Sequence, residues 1–139
     1  MLELKLLNTK IVHALSISGH MDEIIICDAG FPIPKEVETI DISLTDNVPT
    51  IRETLEVIKE YYSVEKVILA NETFEHNPTY FKHVSTLFGS DVEIEKISHS
   101  EFKKRSKTVK VIIRTGDFTA WGNILLVSGP GKKWIKEKE

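Results

Sequence analysis

The chain has 139 residues, 41% of them apolar and 28% charged, with 21 acidic against 18 basic side chains and a net charge of −3. That is the length of one domain with a sizeable core, and the charge balance excludes the electrostatic footprint of a nucleic-acid binder. Cys27 is the single cysteine, which excludes an intramolecular disulfide and a cysteine-pair metal site, and no apolar run approaches the ~20 residues of a membrane helix. The basic clusters, Lys103-Lys104-Arg105 with Lys107 and Lys132-Lys133, have acidic neighbours and read as solvated faces. The start of the chain has neither a signal-peptide core nor an Arg-rich transit pattern, so the expected location is the cytoplasm.

Residues 2–7 form a mostly apolar strand or arm. Asn8 caps a helix predicted to run to about Ser18, with Ile11, Val12 and Leu15 on its buried stripe, and Gly19 ends it. His20 follows. Residues 23–27 are apolar, β-branched and without alternation, the pattern of a strand buried on both faces. Asp28-Ala29-Gly30-Phe31-Pro32-Ile33-Pro34 then continues neither strand nor helix. An acid at the carboxyl end of a buried strand is where open α/β sheets place ligands; Asp also organises turns, and both readings stand on the residues alone. Residues 37–44 alternate as a half-buried strand or extended segment. Thr50 and Glu53 have capping-box spacing for a helix with Ile51, Leu55, Ile58 and Tyr62 on its apolar face, ending near Ser63. Residues 64–70 are a second apolar strand. Asn77-Pro78 opens an amphipathic helix that Gly89 closes. A strand over 92–97, a short helix capped by Ser98 with Phe102 inward, a strand over 109–113, a loop over 114–122 and a last strand over 124–127 complete the core. Residues 131–139 are a charged tail carrying Trp134 and Ile135, separate from a domain over 1–130.

Strands alternating with helices predict a single-domain α/β sandwich with a largely parallel central sheet flanked by helices. No strand is followed by Gly-x-Gly-x-x-Gly, and there is no P-loop, so neither nucleotide fold is indicated. The polar groups at the carboxyl ends of predicted strands are Asp28, Asn71-Glu72, His99 and the loop bearing Trp121 and Asn123. They include no metal-ligand spacing and no nucleophile elbow. Carboxylate and amide groups beside an aromatic face suit a small neutral polyhydroxylated ligand, and acid and base groups near it permit proton transfer without a cofactor. Of the five histidines, 13, 76 and 83 read as surface residues, whereas His20 and His99 sit at junctions between elements. A helix start at His99 disfavours its protonated ring.

From Leu7 to Gly129 the chain resembles the D-ribose pyranase (RbsD) family, which is related to the fucose mutarotases. The motifs are Gly19-His20-x-Asp22, Asp28-Ala29-Gly30-x-Pro32-x-Pro34, Ile40-Asp41-x-Ser43-Leu44, Asn77-Pro78, Ser98-His99-Ser100-Glu101-Phe102-Lys103 and Ile113-Arg114-Thr115-Gly116-Asp117-Phe118-Thr119. The resemblance implies an isomerase that interconverts pyranose and furanose forms of a free sugar, D-ribose first, with no metal and no cofactor. It implies His20 as the catalytic proton donor, and Asp28, His99 and the segment Trp121-Gly122-Asn123 as substrate-binding. It further implies a homodecamer of two pentameric rings. Trp121 stands where the family has Tyr, and Gly122 leans toward the fucose-type pattern; both weaken ribose as the substrate more than they weaken the reaction.

One geometric expectation is independent of that resemblance. His20 precedes the 23–27 strand and Asp28 follows it, and a straight strand of that length separates them by about 16 Å. Two groups that far apart do not grip one pentose, so a site using both is shared between neighbouring subunits. The competing reading is a non-catalytic sugar-binding protein, which would not depend on His20.

Overall fold

The computed structural model describes residues 1–138; Glu139, the last residue of the expected tail, lies outside them. The elements are α1 (Thr9–Ile17), β1 (Glu23–Cys27), β2 (Glu38–Asp41), α2 (Ile51–Ile58), β3 (Val64–Ala70), α3 (Asn71–His76), α4 (Pro78–Ser85), β4 (Glu93–Ile97), α5 (His99–Arg105), β5 (Val111–Arg114) and β6 (Ile124–Ser128). The strands form one sheet of six in the order β2-β5-β1-β6-β3-β4. The β2–β5, β5–β1 and β3–β4 pairs are parallel; β6 runs antiparallel to both of its neighbours, β1 and β3. The largely parallel sandwich expected from the sequence is therefore present, with one reversed strand near its middle. The reversal follows from connectivity. Loop 115–123 joins β5 to β6 without a crossover helix, so the chain must come back down the sheet.

β1 is buried on both faces, as its unbroken apolar run requires. Ile24 and Ile26 point into the core beneath α1, α2 and α4, where Ile11, Ala14, Ile51, Leu55, Ile58, Phe81 and Val84 pack. Ile25 and Cys27 point into the second core layer, beneath Phe102 of α5 and the loop residues Phe31, Val37 and Val109. A fully buried isoleucine stabilises the fold by about 1.5–3 kcal/mol relative to an exposed one. β1 thus locks the two layers together. Burial also pushes the Cys27 thiol up to about 12, so it packs as an inert small hydrophobe.

The local signals hold where they are self-contained. Asn8 Oδ1 accepts the Lys10 and Ile11 N–H groups at 3.1 and 3.0 Å. Thr50 and Glu53 form the reciprocal capping box. Several boundaries differ: β2 spans only Glu38–Asp41, α4 ends at Ser85 before Gly89, and β5 is Val111–Arg114. α2 stops at Ile58 and unwinds through a turn, with the Tyr61 and Tyr62 N–H groups both reaching back to the Ile58 carbonyl. α3 had no periodic apolar stripe to announce it; it follows β3 directly and meets α4 at Asn77. Residues 129–138 contain neither helix nor strand, and among the described residues no helix is long and apolar enough to cross a membrane.

All strands but β6 end at one edge of the sheet, so the loops after β1, β2, β3, β4 and β5 gather there. Gly116 shows how tightly they pack. Its N–H donates to the Pro49 carbonyl at 3.0 Å, and its carbonyl accepts the Asn47 N–H at 2.7 Å. A Cβ at this position would come within 2.8 Å of the Val48 carbonyl and closer still to that of Thr45. Gly116→Ala is therefore expected to destabilise the protein by about 1–3 kcal/mol or more through overpacking, measured as a lower urea midpoint with unchanged slope.

Candidate active site

The carboxyl edge of the sheet is organised around the end of β1. Loop 115–123 has to pass over that end, because β5 and β6 flank β1 on opposite sides. Thr115 grips the Cys27 carbonyl twice, through its N–H at 3.0 Å and its hydroxyl at 2.8 Å. The Ala29 N–H donates to the Asp117 carbonyl at 2.9 Å, and the Asp28 N–H donates to Asn123 Oδ1 at 2.8 Å. Asp28 and Asn123 are thereby brought into direct contact across 95 residues of chain. Asp28 Oδ1 also accepts the Gly30 N–H at 3.0 Å, so the turn-making role of this acid is realised. Burial raises the Asp28 carboxyl pKa, against the opposing hydrogen bonds from Gly30 and the Asn123 side chain.

Two acids and an arginine that sequence reasoning did not single out fix this edge. Arg114 donates through Nε and Nη2 to the Ala29 carbonyl, at 3.1 and 2.8 Å, and through Nη1 to Asp41 Oδ2 at 2.7 Å. It ties the loops after β1 and β2 to β5. The Asp117 side chain is buried; its carboxylate accepts the Ile51 N–H at 2.8 Å and the Thr119 N–H at 2.6 Å. The first of these satisfies a helix N-terminal donor that would otherwise be orphaned. Asp117 lay inside a quoted motif, but nothing local distinguished a buried loop acid from an exposed one.

The segment 120–123 is clamped from the other side by α3 and α4. Asn77 Nδ2 donates to the Ala120 carbonyl at 2.8 Å, the Thr73 hydroxyl donates to the Trp121 carbonyl, and the Tyr80 hydroxyl donates to the Gly122 carbonyl at 2.6 Å. Three consecutive carbonyls are thus held by side chains of one helical hairpin. The clamp holds Trp121 in a left-handed conformation, φ 53°, which a bulky residue adopts only under constraint. A Cβ on Gly122 would lie 3.0 Å from the Thr119 carbonyl and 3.3 Å from the Tyr80 hydroxyl, so the residue after Trp121 is kept small. The indole is stacked on His76, with centroids 4.6 Å apart and planes 23° from parallel. His76, read from sequence as loop surface, therefore covers one face of Trp121.

His99 is the first residue of α5. Its N–H is taken by Glu72 of α3 at 3.0 Å, and its ring meets Phe31 edge to face, 6.4 Å between centroids. Burial, and then the Lys103 charge, lower its pKa, so the ring is neutral at pH 7. The direction agrees with the sequence expectation, but burial rather than the helix start is the leading cause. Among the described residues Nδ1 is buried without a hydrogen-bond partner, which marks it as an acceptor or donor in waiting.

His20 is elsewhere. It sits at the amino edge, beyond the start of β1, and its Nε2 lies 2.9 Å from Glu65 Oε2. β1 pairs with β5 and β6 without a register shift, so it runs without a bulge from Glu23 to Cys27, between the turn that carries His20 and Asp28. One chain therefore brings together Asp28, Gly122 and Asn123 with Trp121 beside them and His99 nearby on Phe31, and holds His20 apart from them. Among the described residues no group of three or more His, Cys, Asp or Glu side chains is placed to hold a metal ion.

Residues 1–130 match the model of a family described as the RbsD / FucU transport protein family. A D-ribose pyranase of Clostridium perfringens is 44% identical over 124 residues, covering 89% of this chain and 94% of the relative. The structure of Bacillus subtilis RbsD complexed with D-ribose superposes with a TM-score of 0.87 at 42% identity, covering 93% of this chain and 98% of that one. The fucose mutarotase of Streptococcus pneumoniae in complex with L-fucose shares the fold, with a TM-score of 0.75 at 23% identity over 93% of this chain and 98% of that one.

Two outcomes are expected of this geometry. Thr73 is fully buried, so Thr73→Val keeps its shape but strands the Trp121 carbonyl; denaturant unfolding should show a loss of about 1–3 kcal/mol, with Thr73→Ser close to the parent. Asp28→Asn should act oppositely. A carboxyl whose folded pKa is raised makes the fold less stable as pH rises through that pKa. The variant removes this penalty and keeps an oxygen for the Gly30 N–H, so its melting temperature should exceed the parent's at pH 7 and the gap should close in acid.

Proposed function

The chain belongs to the RbsD / FucU family, and we propose that it is a cofactor-independent isomerase that interconverts the pyranose and furanose forms of D-ribose by general acid/base ring opening. The observation that carries this reading is the likeness to a D-ribose pyranase at 44% identity over nearly the whole chain, together with that to RbsD complexed with D-ribose. Residues 1–130 are the sugar-handling domain and 131–139 a charged tail outside it. The protein works in the cytoplasm.

Ring opening needs two proton movements: one off the anomeric hydroxyl and one onto the ring oxygen. His20 is the proton donor to the ring oxygen. Asp28 and His99 bind the sugar hydroxyls, and a neutral His99 ring with a partnerless Nδ1 suits a hydroxyl as its missing partner. Asn123 orients a hydroxyl next to Asp28. Trp121 walls the pocket with what His76 leaves uncovered, and Gly122 keeps the segment in place. Each positioned acid or base contributes roughly 10²–10⁴-fold.

A pentose does not bridge the two ends of β1, so the site is completed by a second copy, with His20 of one subunit meeting Asp28 of the next. The exposed apolar side chains support such an assembly. Leu2 and Leu7, which line one groove, and Met21, next to His20, are 71%, 76% and 67% exposed, apolar surface of the kind that a second copy can cover. A decamer of two pentameric rings is the assembly this reading takes. A second reading, a mutarotase acting on a fucose-like sugar, draws on Trp121, which lacks the phenol hydroxyl of the family Tyr, and on Gly122, which leans toward the fucose-type pattern.

Saturation-transfer NMR of free sugars tests the reading. Ribose exchange between pyranose and furanose should be accelerated, and His20→Ala and Asp28→Ala should each lose about 10²-fold or more of that rate. Mixing the two inactive variants under subunit exchange should restore part of it. Acceleration of fucose and not ribose selects the second reading; binding without acceleration of either leaves a sugar-binding protein; no recovery on mixing overturns the shared site.

A further inference from the structure

The amino edge contains a side-chain pair that the proposed reaction leaves unexplained. His20 lies in a short turn built with care for its position. The Gly19 N–H donates to Asp22 Oδ2 at 2.7 Å, and Lys110 Nζ donates to the same oxygen at 2.8 Å. Met21 takes a left-handed φ of 75°, and its N–H donates to the Ser128 carbonyl at 2.9 Å, pinning the turn to the end of β6. Asp22 and Lys110 neutralise each other, so the charged group in contact with the imidazole is Glu65.

Glu65 reaches the imidazole through an irregularity in the sheet. The β3–β6 register slips between Val64 and Lys66, so that Glu65 is an extra residue without a partner on β6. A bulge of this kind re-aims a side chain, and bulges concentrate beside active sites. Gly129 permits it: a Cβ there would lie 2.6 Å from Ser63 Oγ and 3.3 Å from the Glu65 nitrogen. Ring and carboxylate, 45% and 37% exposed, meet at 2.9 Å through Nε2, which is the ring's one hydrogen bond among the described residues.

We infer that Glu65 is the positioning residue for His20, holding a proton on Nε2 so that Nδ1 is the atom that exchanges a proton with the sugar ring oxygen. A carboxylate behind one imidazole nitrogen fixes the tautomer and the ring orientation and stabilises the imidazolium. The inference rests on the reading of His20 as proton donor. In the opening step the imidazolium gives its Nδ1 proton to the ring oxygen as the bond from that oxygen to the anomeric carbon breaks, and the bonding pair stays on the oxygen. The anomeric hydroxyl loses its proton to the base on the Asp28 and His99 side, and that O–H pair becomes the second bond of the open-chain carbonyl. His20 is left neutral, its remaining proton on Nε2 against Glu65. Closure by a different hydroxyl returns each proton by the same route, with no net oxidation.

The test uses the full-length protein and its ribose exchange rate, with nitrogen-15 labelling of histidine and assignment of His20 by the spectrum of His20→Ala. Neutral His20 should be protonated on Nε2. Glu65→Gln should shift the ring toward a mixture of tautomers and lower kcat by about 10- to 100-fold, the range seen for carboxylates behind metal-bound histidines, with KM for ribose nearly unchanged because Glu65 touches no substrate. Glu65→Asp should recover part of kcat. An exposed pair with a merely structural role would move none of these. A Glu65→Gln enzyme with parental kcat and tautomer, or an Nδ1-protonated parent, overturns the Glu65 role while loss of activity in His20→Ala still upholds His20 as the donor. Full activity of His20→Ala overturns both. The spectrum of the parent decides the tautomer even if a variant fails to fold.

Discussion

The passage of loop 115–123 over the end of β1 is the constraint on which the carboxyl edge depends. With β5 and β6 on opposite sides of β1 and no helix between them, the connection has to bridge the strand that lies in its path. It does so by bonding to it: Thr115 to the Cys27 carbonyl, Asp117 to the Ala29 N–H and Asn123 to the Asp28 N–H. Backbone polar groups at the end of a buried strand must find partners, and here the crossing loop supplies them. Asp28 is half-buried because the loop lies across it, and that burial is what raises its pKa. Topology, hydrogen bonding and acidity at this position thus have one origin.

A loop bent over a strand carries polar groups into poorly hydrated space, and it is stable only if they are all answered. Thr115, Asp117 and Asn123 are buried, and each is bonded to backbone. Close approach excludes side chains at Gly116 and crowds them at Gly122. The α3–α4 hairpin then takes the carbonyls of 120, 121 and 122, one each for Asn77, Thr73 and Tyr80. The result is a preorganised segment whose geometry does not wait for a ligand, which lowers the ordering cost of binding.

Much of the frame was legible in the sequence. The 23–27 and 64–70 strands match β1 and β3 to the residue, because apolar runs bounded by Gly, Ser or an acid are local signals. The caps at Asn8, Thr50 and Ser98 are present for the same reason. The reversed β6 was not legible, since strand direction is set by which neighbour a strand finds and periodicity carries no record of it. α3 was missed because a helix of six residues, with one strongly apolar side chain, has no stripe to detect. The roles of Thr73, Tyr80, Arg114 and Asp117 rest on bonds to residues 42–85 positions away, beyond any local pattern. The resemblance supplied His20, Asp28, His99 and 121–123 as a set; it did not supply the stacking of His76 on Trp121, which depends on a residue outside its motifs.

β1 makes the two edges of the sheet independent. Its continuous pairing holds His20 at one end and Asp28 at the other, and each end has its own bracing. The carboxyl edge is fixed by Arg114 and Asp117. The amino edge is fixed by the Asp22–Lys110 and Glu23–Arg105 pairs, the latter at 2.5 Å, and by the contact of the Tyr62 and Ser128 hydroxyls. In the proposed reaction, each subunit presents a rigid donor half-site on one edge and a rigid binding half-site on the other. In that proposal neither half turns over sugar alone, and no loop motion within one chain brings them together, since the spacer is a strand fully buried from Ile24 to Cys27. On that proposal catalysis belongs to the contact between copies: dissociation would remove activity without unfolding any half-site, and activity would be linked by mass action to protein concentration. Under that proposal, the strand that holds the two core layers together is, by its length, also what makes assembly a condition of chemistry.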